Sequence, residues 1–258
     1  MGEQSELARV WHGLRRRVRP RLLAADDAVH RVFGFTVSEH DAKHPVVVPL
    51  HADHVAVLGE PAFIASCKEV RHLTLLDSAR LANLWTLSRM CDREGAFIEV
   101  GSFRGGGALH LSNSDPDRRI FVCDSFASFE ELDPELDTGF GMHMFTENRR
   151  DDVAELFSTR GRDATVLAGF FPASAEGVDI GALSFAHVDV DVYNATKDTL
   201  EFIRPLMTAR SMIVLDDFRR GAKGVDSAVA EFVAEHPEWL AVPIFPAQGL
   251  LLSRSWFG

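Results

Sequence analysis

The sequence is short of the residues on which several classes of protein depend. It has only three cysteines, Cys67, Cys91 and Cys123, and none of them has the close spacing of a zinc site. Free thiols in a reducing cytoplasm are therefore expected, not a disulfide scaffold. No apolar run approaches the roughly 20 residues needed to cross a bilayer, and the N-terminus lacks an apolar signal segment. We expect a cytoplasmic protein without a membrane partner.

Positive charge is also scarce. The chain has 27 lysines and arginines against 38 aspartates and glutamates, which gives a formal net charge of −11. Nucleic acid is an unsuitable main partner, because phosphate binding needs a basic face. The sequence contains neither a P-loop nor the Gly-x-Gly-x-x-Gly turn that binds a pyrophosphate. A nicotinamide-dependent dehydrogenase is therefore disfavoured.

The most informative feature present is a glycine-rich turn between an apolar strand and a helix. The strand carries Glu99 near its end, Gly101 begins the turn, and further glycines follow from Gly105 to Gly107. Asp124 closes the next apolar strand, about 20 residues further on, where a carboxylate can hold ribose hydroxyls. Glycine lets backbone N–H groups approach a ligand closely. This spacing favours a nucleoside ligand without a pyrophosphate, such as S-adenosylmethionine.

From about Leu75 onward, helical and strand patterns alternate, which predicts a parallel sheet with helices on both faces. A late hairpin is expected to insert the final strand antiparallel. Residues 1–74 do not follow this rhythm, and we assign them to a mainly helical N-terminal extension. The predicted strands are 96–100, 119–123, 164–168, 183–190, 211–215, 240–244 and 248–253. The predicted helices are 75–93, 105–113, 146–159, 194–207 and 223–235.

Aspartates collect at the ends of two of these strands. Asp189 and Asp191 follow one strand, and Asp216 and Asp217 follow the next. If the two strands are neighbours, about 4.8 Å apart, Asp189, Asp216 and Asp217 converge, and their mutual repulsion raises their pKa values. A hard cation such as Mg²⁺ relieves that repulsion. Helix capping is the plainer explanation, and it suits Asp191 better than the Asp216-Asp217 pair.

Four segments, in this order and spacing, resemble the macrocin O-methyltransferase family. They are Glu99-Val-Gly101-Ser-Phe-Arg-Gly105-Gly, Cys123-Asp124-Ser125-Phe126, Asp189-Val-Asp191-Val-Tyr193 and Asp216-Asp217-Phe218. The resemblance covers roughly residues 75–258. The chain departs from the family pattern at Val190, where glycine is usual, and in the loop that carries Arg219 and Arg220.

The resemblance implies a class I methyltransferase fold, with a Rossmann-like seven-stranded sheet, in which S-adenosylmethionine and Mg²⁺ serve to methylate a sugar hydroxyl of a glycoside or saccharide. Its domain is expected at residues 75–258. The implied metal ligands are Asp189, Asp216 and Asp217, and the implied cofactor-binding residues are Glu99, Gly101, Ser102, Asp124, Ser125, Phe126 and Gly169.

The general base is left open between Asp189, Asp191 and His143. His143 lies in the connection 126–145, whose length and content of phenylalanine and methionine indicate an active-site lid. Its intrinsic pKa suits proton transfer near neutrality. An ordinary loop histidine is the equally weighted alternative.

Two other functions remain open at this stage. The acceptor can be a catechol-like or other small non-sugar hydroxyl, or the fold can belong to a catalytically silent nucleoside-binding or scaffold protein. The basic N-terminal segment on an acidic chain also predicts pairing between copies, as a homodimer or a larger closed assembly.

Overall fold

The computed structural model describes residues 35–38, 46–49, 55–141 and 144–257. The chain divides into two units, Met1–Gly59 and Glu60–Gly258. In the first unit, strands β1 (Phe35–Ser38) and β2 (Val46–Pro49) pair antiparallel, and α1 (Val55–Leu58) is a single turn. Most of the extension lies outside the described residues, so its helical character stays a prediction. The expected methyltransferase domain, residues 75–258, lies within the second unit, and its boundary stays a prediction.

The larger unit is built on a seven-stranded sheet in the order β5-β4-β3-β6-β7-β9-β8. Strands β3 to β7 run parallel, while β9 is antiparallel to both of its neighbours. The predicted sheet and its inserted final strand are confirmed. The strands are β3 (Ala96–Val100), β4 (Ile120–Asp124), β5 (Ala164–Ala168), β6 (Leu183–Val188), β7 (Met207–Leu215), β8 (Trp239–Ile244) and β9 (Gln248–Ser253).

Helices cover both faces of this sheet, as the alternating pattern predicted. On one face, Ile98 and Val100 belong to the same apolar cluster as Leu200 and Val229 from two later helices. On the other face, Glu99 contacts the backbone of Ala108 in the helix after β3. The helices are α2 (Pro61–Val70), α3 (Ser78–Ser88), α4 (Gly106–Ser114), α5 (Arg150–Ser158), α6 (Tyr193–Ile203) and α7 (Lys223–Glu235). In the described part of the chain, none has the length and hydrophobicity that a bilayer crossing requires.

Helix α3 is shorter than the 75–93 range that the apolar spacing predicted. It begins at Ser78 because the Asp77 carboxylate accepts hydrogen bonds from the backbone N–H groups of Ala79 and Arg80, at 3.0 and 2.9 Å. Side-chain oxygens of this kind satisfy the donors that a helix N-terminus leaves free. The helix therefore starts at its cap, whereas the apolar pattern runs on past both ends.

The strand order indicates the edge of the sheet at which a ligand is expected. Strand β3 lies between β4 and β6, so the connections on its two sides depart in opposite directions. In open α/β sheets, ligands bind outside the carboxyl ends of the strands at such a switch point. The glycine turn follows β3 and the aspartates follow β6 and β7, so all of them lie at this edge.

Candidate active site

Gly101 and Gly107 are required by contacts within the chain itself. Gly101 has a φ of +90°, and a β-carbon there would lie 2.0 Å from the carbonyl oxygen of Asp189. A β-carbon on Gly107 would lie 2.1 Å from Oε1 of Glu99. The end of β6 thus passes directly over the turn that follows β3, and only glycine leaves room for it. This packing joins the glycine turn to the first of the aspartates.

Glu99 is buried, and its side chain is held from two directions. Oε2 accepts a hydrogen bond of 2.6 Å from the backbone N–H of Ala108, and Oε1 lies 2.8 Å from Nδ1 of His187. Burial raises the pKa of Glu99, against the opposing effect of its bond to His187. His187 was given no role from the sequence. Its register position opposite Glu99 on β6 was the available signal, and it depends on knowing the strand order.

Asp124 organises the loops around the end of β4. Its carboxylate accepts hydrogen bonds from the backbone N–H groups of Phe103 and Phe126, both at 2.7 Å, and from Nδ2 of Asn148 at 2.8 Å. Burial raises the pKa of this carboxyl, while those bonds act in the opposite direction. A ribose-binding role for Asp124 stays a prediction. Asn148 is a further residue that the sequence did not single out.

The other predicted cofactor residues lie around this carboxylate. The hydroxyl of Ser102 is buried without a hydrogen-bond partner among the described residues. Ser125 Oγ donates to the carbonyl of Ala127, at 3.0 Å. Gly169, with a φ of +127°, donates its backbone N–H to the carbonyl of Asp124 at 3.0 Å. The ends of β3, β4 and β5 therefore meet around one group of residues.

Four aspartates follow the ends of β6 and β7, near enough to affect one another's pKa values. The backbone N–H of Asp189 donates to Val100, and that of Asp216 donates to Val188, so the pairing of strands continues into both acidic segments. Burial first, and then repulsion from Asp216 and neighbouring aspartates, raises the pKa of Asp189 well above its ordinary range. Burial together with Asp217 and Asp216 does the same to the pKa of Asp191.

The backbone at two of these aspartates is strained. Asp191 has a φ of +67° and Asp217 a φ of +57°, in the left-handed region that non-glycine residues seldom adopt. Such conformations persist only where the surrounding structure enforces them, and they concentrate at functional sites. The two side chains are also hydrogen-bonded to each other, and this bond contributes to the raised pKa of Asp191.

Arg80 is the main residue of this site that sequence reasoning missed. Its Nη1 donates to Oδ2 of Asp216, and its Nη2 donates to the carbonyl of Leu75 at 2.9 Å. Gln248 Nε2 donates to the other oxygen of Asp216, also at 2.9 Å. Arg80 is 8% exposed. A signal was present: Arg80 precedes Leu84 by four residues and so shares the apolar face of its helix.

The chemistry of the donor set suits a cation. Asp189 and Asp191 carry charges that repel each other and Asp216, and the single buried guanidinium of Arg80 is already bonded to Asp216. A divalent cation would relieve the remaining repulsion. The predicted ligand oxygens are not drawn together, however. In the described ranges, the one acid–histidine set within 4.8 Å is Glu201, Glu235 and His236, away from this edge. The ligand assignment stays a prediction.

His143 lies outside the described residues, so its predicted role as base stays a prediction. The connection around it is held by aromatic contacts. The rings of Phe103 and Phe145 are 6.2 Å apart, those of Phe129 and Phe145 are 5.9 Å apart, and those of Phe129 and Phe140 are 5.6 Å apart. These edge-to-face pairs join the connection to the glycine turn.

The chain matches the family described as Macrocin-O-methyltransferase (TylF) over residues 69–244. This range is more than half of the chain and contains the glycine turn, the long connection and all four aspartates. The predicted family is therefore confirmed, and so is the prediction of an O-methyltransferase at the level of the family.

Two curated relatives are natural-product methyltransferases. The chain is 24% identical over 163 residues to the 8-demethyl-8-(2,3-dimethoxy-alpha-L-rhamnosyl)-tetracenomycin-C 4'-O-methyltransferase of Streptomyces olivaceus, a match covering 53% of this chain and 62% of that enzyme. It is 27% identical over 194 residues to the Mycinamicin III 3''-O-methyltransferase of Micromonospora griseorubida, covering 65% and 76% of the two chains. The match thus spans less than two thirds of the tetracenomycin enzyme.

The fold is also that of solved methyltransferases. The structure of the O-methyltransferase NovP aligns with a TM-score of 0.62 and 20% identity, covering 70% of this chain and 82% of that one. At this identity the likeness concerns the fold alone, and it confirms the class I methyltransferase architecture. Together with the match over residues 69–244, it leads to one conclusion: the chain belongs to the macrocin O-methyltransferase family.

Proposed function

We propose that this protein transfers the methyl group of S-adenosylmethionine to a sugar hydroxyl of a glycoside or saccharide. One observation carries the proposal. The residues around Asp124 and the aspartates that follow β6 and β7 lie at the same edge of the sheet, because these strands are parallel. The family match and the name of the tetracenomycin relative, which specifies a rhamnosyl-bearing substrate, support a sugar acceptor.

The cofactor is proposed to lie across the ends of β3, β4 and β5. Asp124 would accept hydrogen bonds from the ribose hydroxyls, since Phe103 and Phe126 already fix its carboxylate in one orientation. Glu99 would act indirectly, by holding the first turn of α4 through its hydrogen bond to the backbone N–H of Ala108. Acceptors that are already oriented in this way would leave less to order when the cofactor and the acceptor hydroxyl are brought together.

Mg²⁺ is proposed to bind through Asp189, Asp216 and Asp217. When bound, it would supply Lewis-acid chemistry that makes a hydroxyl group more acidic. Arg80 and Gln248 orient the Asp216 carboxylate from both sides. They leave Asp189 as the least compensated of the three proposed ligands, since Asp217 pairs with Arg220, whose Nη1 donates to its Oδ1 at 3.0 Å.

Asp191 is the proposed general base. It lies outside the proposed ligand set, but its side chain is hydrogen-bonded to Asp217, one of the proposed ligands, so it would face an acceptor hydroxyl held there. It would take the hydroxyl proton as the acceptor oxygen forms its bond to the methyl carbon and the bond from that carbon to sulfur breaks. Asp189 and His143 remain alternatives, which activity measurements on Asp191→Asn and His143→Ala would separate.

The proposal is tested by incubating the protein with labelled S-adenosylmethionine, Mg²⁺ and a panel of glycosides and catechols. Methyl transfer to glycosides is expected, and Asp191→Asn should lower kcat by about 10²- to 10⁴-fold. Asp198→Asn, an exposed aspartate of α6, is the matched control. Methyl transfer to catechols alone would show that the acceptor is a catechol and not a sugar hydroxyl. Absence of cofactor binding in calorimetry would overturn the function itself.

We also propose that the protein assembles as a homodimer or larger closed oligomer, on the basis of the basic N-terminal segment and the acidic chain. Light scattering across a range of protein concentrations tests this. A monomer mass at high concentration would contradict it.

A further inference from the structure

A short capped turn lies within the long connection after β4. The Asp133 side chain accepts hydrogen bonds from the backbone N–H groups of Glu135 and Leu136, at 2.9 and 2.8 Å. Pro134 occupies the first position of the turn, and the backbone N–H of Asp137 donates to the carbonyl of Asp133 at 2.9 Å. An acidic cap followed by proline is the usual start of a helix. Here it stabilises a single turn that ends at Asp137.

Asp137 points away from solvent, toward the start of α6. It is 3% exposed, and its Oδ1 accepts a hydrogen bond of 3.0 Å from the backbone N–H of Tyr193, the first residue of that helix. The residue before the helix, Val192, offers no side-chain cap. Asp137 therefore caps the N-terminus of α6 from another segment, by accepting a hydrogen bond that an N-cap residue would otherwise accept. Its negative charge also suits this end of the helix.

The start of α7 is shaped around the same carboxylate. A β-carbon on Gly224 would lie 2.1 Å from Oδ1 of Asp137 and 2.8 Å from the backbone nitrogen of Tyr193. The backbone of Gly224 is not in the left-handed region, so the space is what requires glycine here. The Asp137 carboxylate therefore accepts two hydrogen bonds, one of 2.8 Å from the backbone N–H of Asp133 in its own turn and the one from Tyr193, and the latter joins the connection to the starts of α6 and α7.

This hydrogen bond lies next to the strained aspartate segment. Asp191, with its φ of +67°, is two residues before Tyr193. Phe126, at the start of the connection, and Asn148, three residues past its end, donate hydrogen bonds to the carboxylate of Asp124. One connection is therefore bonded both to the proposed cofactor carboxylate and to the segment that holds the proposed base.

We propose that Asp137 is a positioning residue that fixes the Asp189–Tyr193 segment for methyl transfer. The inference rests on the proposed function and adds to it a residue that touches neither cofactor nor acceptor. By anchoring Tyr193, Asp137 holds Asp191 in its left-handed conformation. Removing the anchor lets that segment relax, while the residues around Asp124 keep their own hydrogen bonds.

Asp137→Ala should lower kcat at least tenfold, per folded molecule, with the Kd for S-adenosylmethionine changed by less than twofold. Asp137→Asn keeps an accepting oxygen for Tyr193 but loses the hydrogen bond of 2.8 Å that Oδ2 accepts from the backbone N–H of Asp133, so it should restore kcat to within about fivefold of the wild type. Gly224→Ala, which crowds the same bond, should behave like Asp137→Ala. Glu135→Ala and Gly139→Ala are matched controls in the same connection, since Glu135 is exposed and a β-carbon on Gly139 meets nothing within 4 Å.

Amide hydrogen exchange of Tyr193 supplies a readout that does not require activity. Protection is expected in the wild type and in Asp137→Asn, and its loss is expected in Asp137→Ala. Unchanged protection of Tyr193, or an unchanged kcat per folded molecule in Asp137→Ala, would overturn the inference. A wild-type protein that transfers no methyl group would instead refute the proposed function, and the exchange experiment would still decide whether Asp137 anchors the segment.

Discussion

The two ends of the predicted ligand-binding edge hold their carboxylates in different ways. At the β3–β4 end, Glu99 and Asp124 each accept hydrogen bonds from backbone N–H groups and from one side chain. At the β6–β7 end, four aspartates share one buried arginine, and Asp191 and Asp217 have strained backbones. At the first end, the oxygens of both carboxylates already have hydrogen-bond partners within the chain. The second keeps an excess of negative charge that its own residues do not neutralise.

This difference fits the proposed division of labour. A cofactor site gains from acceptors that are already oriented, because the ligand then has less to order on binding. A site for a cation gains from carboxylates whose repulsion only the cation relieves. The same comparison predicts which changes affect activity, which affect folding and which affect cofactor affinity.

The largest effect should follow from loss of the proposed metal. EDTA should abolish methyl transfer and added Mg²⁺ should restore it, because the β6–β7 end then lacks its neutralising charge. Asp217→Asn should reduce turnover at least 100-fold while the far-ultraviolet circular dichroism stays unchanged, as removal of a ligand from a working metal site does. Full activity in the chelator would show that the aspartates act without a cation.

The largest effect on stability should come from the buried ion pair. Arg80→Met leaves Asp216 buried without its cationic partner, and breaking such a pair costs about 3–5 kcal/mol of unfolding free energy. Arg89→Met is the control, because the Arg89–Glu60 pair is partly exposed to solvent and its loss should cost under about 1 kcal/mol. Urea unfolding of both variants measures the difference. Equal losses would contradict the placement of Arg80 in the aspartate group.

At the β3–β4 end, the expected effect is on cofactor affinity. Asp124→Ala removes the acceptor shared by Phe103, Phe126 and Asn148, and binding of S-adenosylmethionine should weaken by about 1–3 kcal/mol. Titration calorimetry measures this change. Asp117→Ala, an exposed aspartate before β4, should leave the affinity unaltered. Unaltered affinity in Asp124→Ala itself would remove this residue from the cofactor site.

The smallest effect concerns a buried polar group that belongs to neither end. His110 Nε2 donates to the carbonyl of Leu81 at 3.0 Å, and Nδ1 accepts from the hydroxyl of Ser66 at 2.8 Å. This ring is satisfied as the neutral form, and burial lowers its pKa from 6.5 to about 4. The folded state thus disfavours the proton that the unfolded chain accepts.

The stability that His110 contributes is therefore complete above about pH 6.5 and is lost as the pH falls toward 4. The loss should reach at most about 1.4 kcal/mol per pH unit. Urea unfolding at pH 7.5, 6.5 and 5.5 measures this for the wild type and for His110→Gln, which does not titrate. The difference between the two slopes isolates His110, and parallel slopes would contradict its neutral burial.

Much of the fold was readable from local pattern. Strands β5 and β9 and helix α7 begin and end at the predicted residues, since alternating apolar strands and amphipathic helices leave few alternatives. The predicted boundaries were wrong where a polar side chain outside the apolar pattern sets the end of an element, as Asp77 does at the start of α3. The four aspartates were predicted because each follows an apolar strand, a position that can be identified from the sequence alone.

By itself, the sequence determined the class of sheet, its ligand-binding edge and the acidic residues at that edge, because these follow from periodicity and from the parallel strand direction. Only the tertiary structure decided the partners of those acids. Glu99 meets His187 across neighbouring strands, Arg80 reaches Asp216 from a helix 136 residues earlier, and Asp137 anchors Tyr193 across 56 residues. Such contacts depend on strand order and helix placement, which the spacing of residues along the chain does not encode.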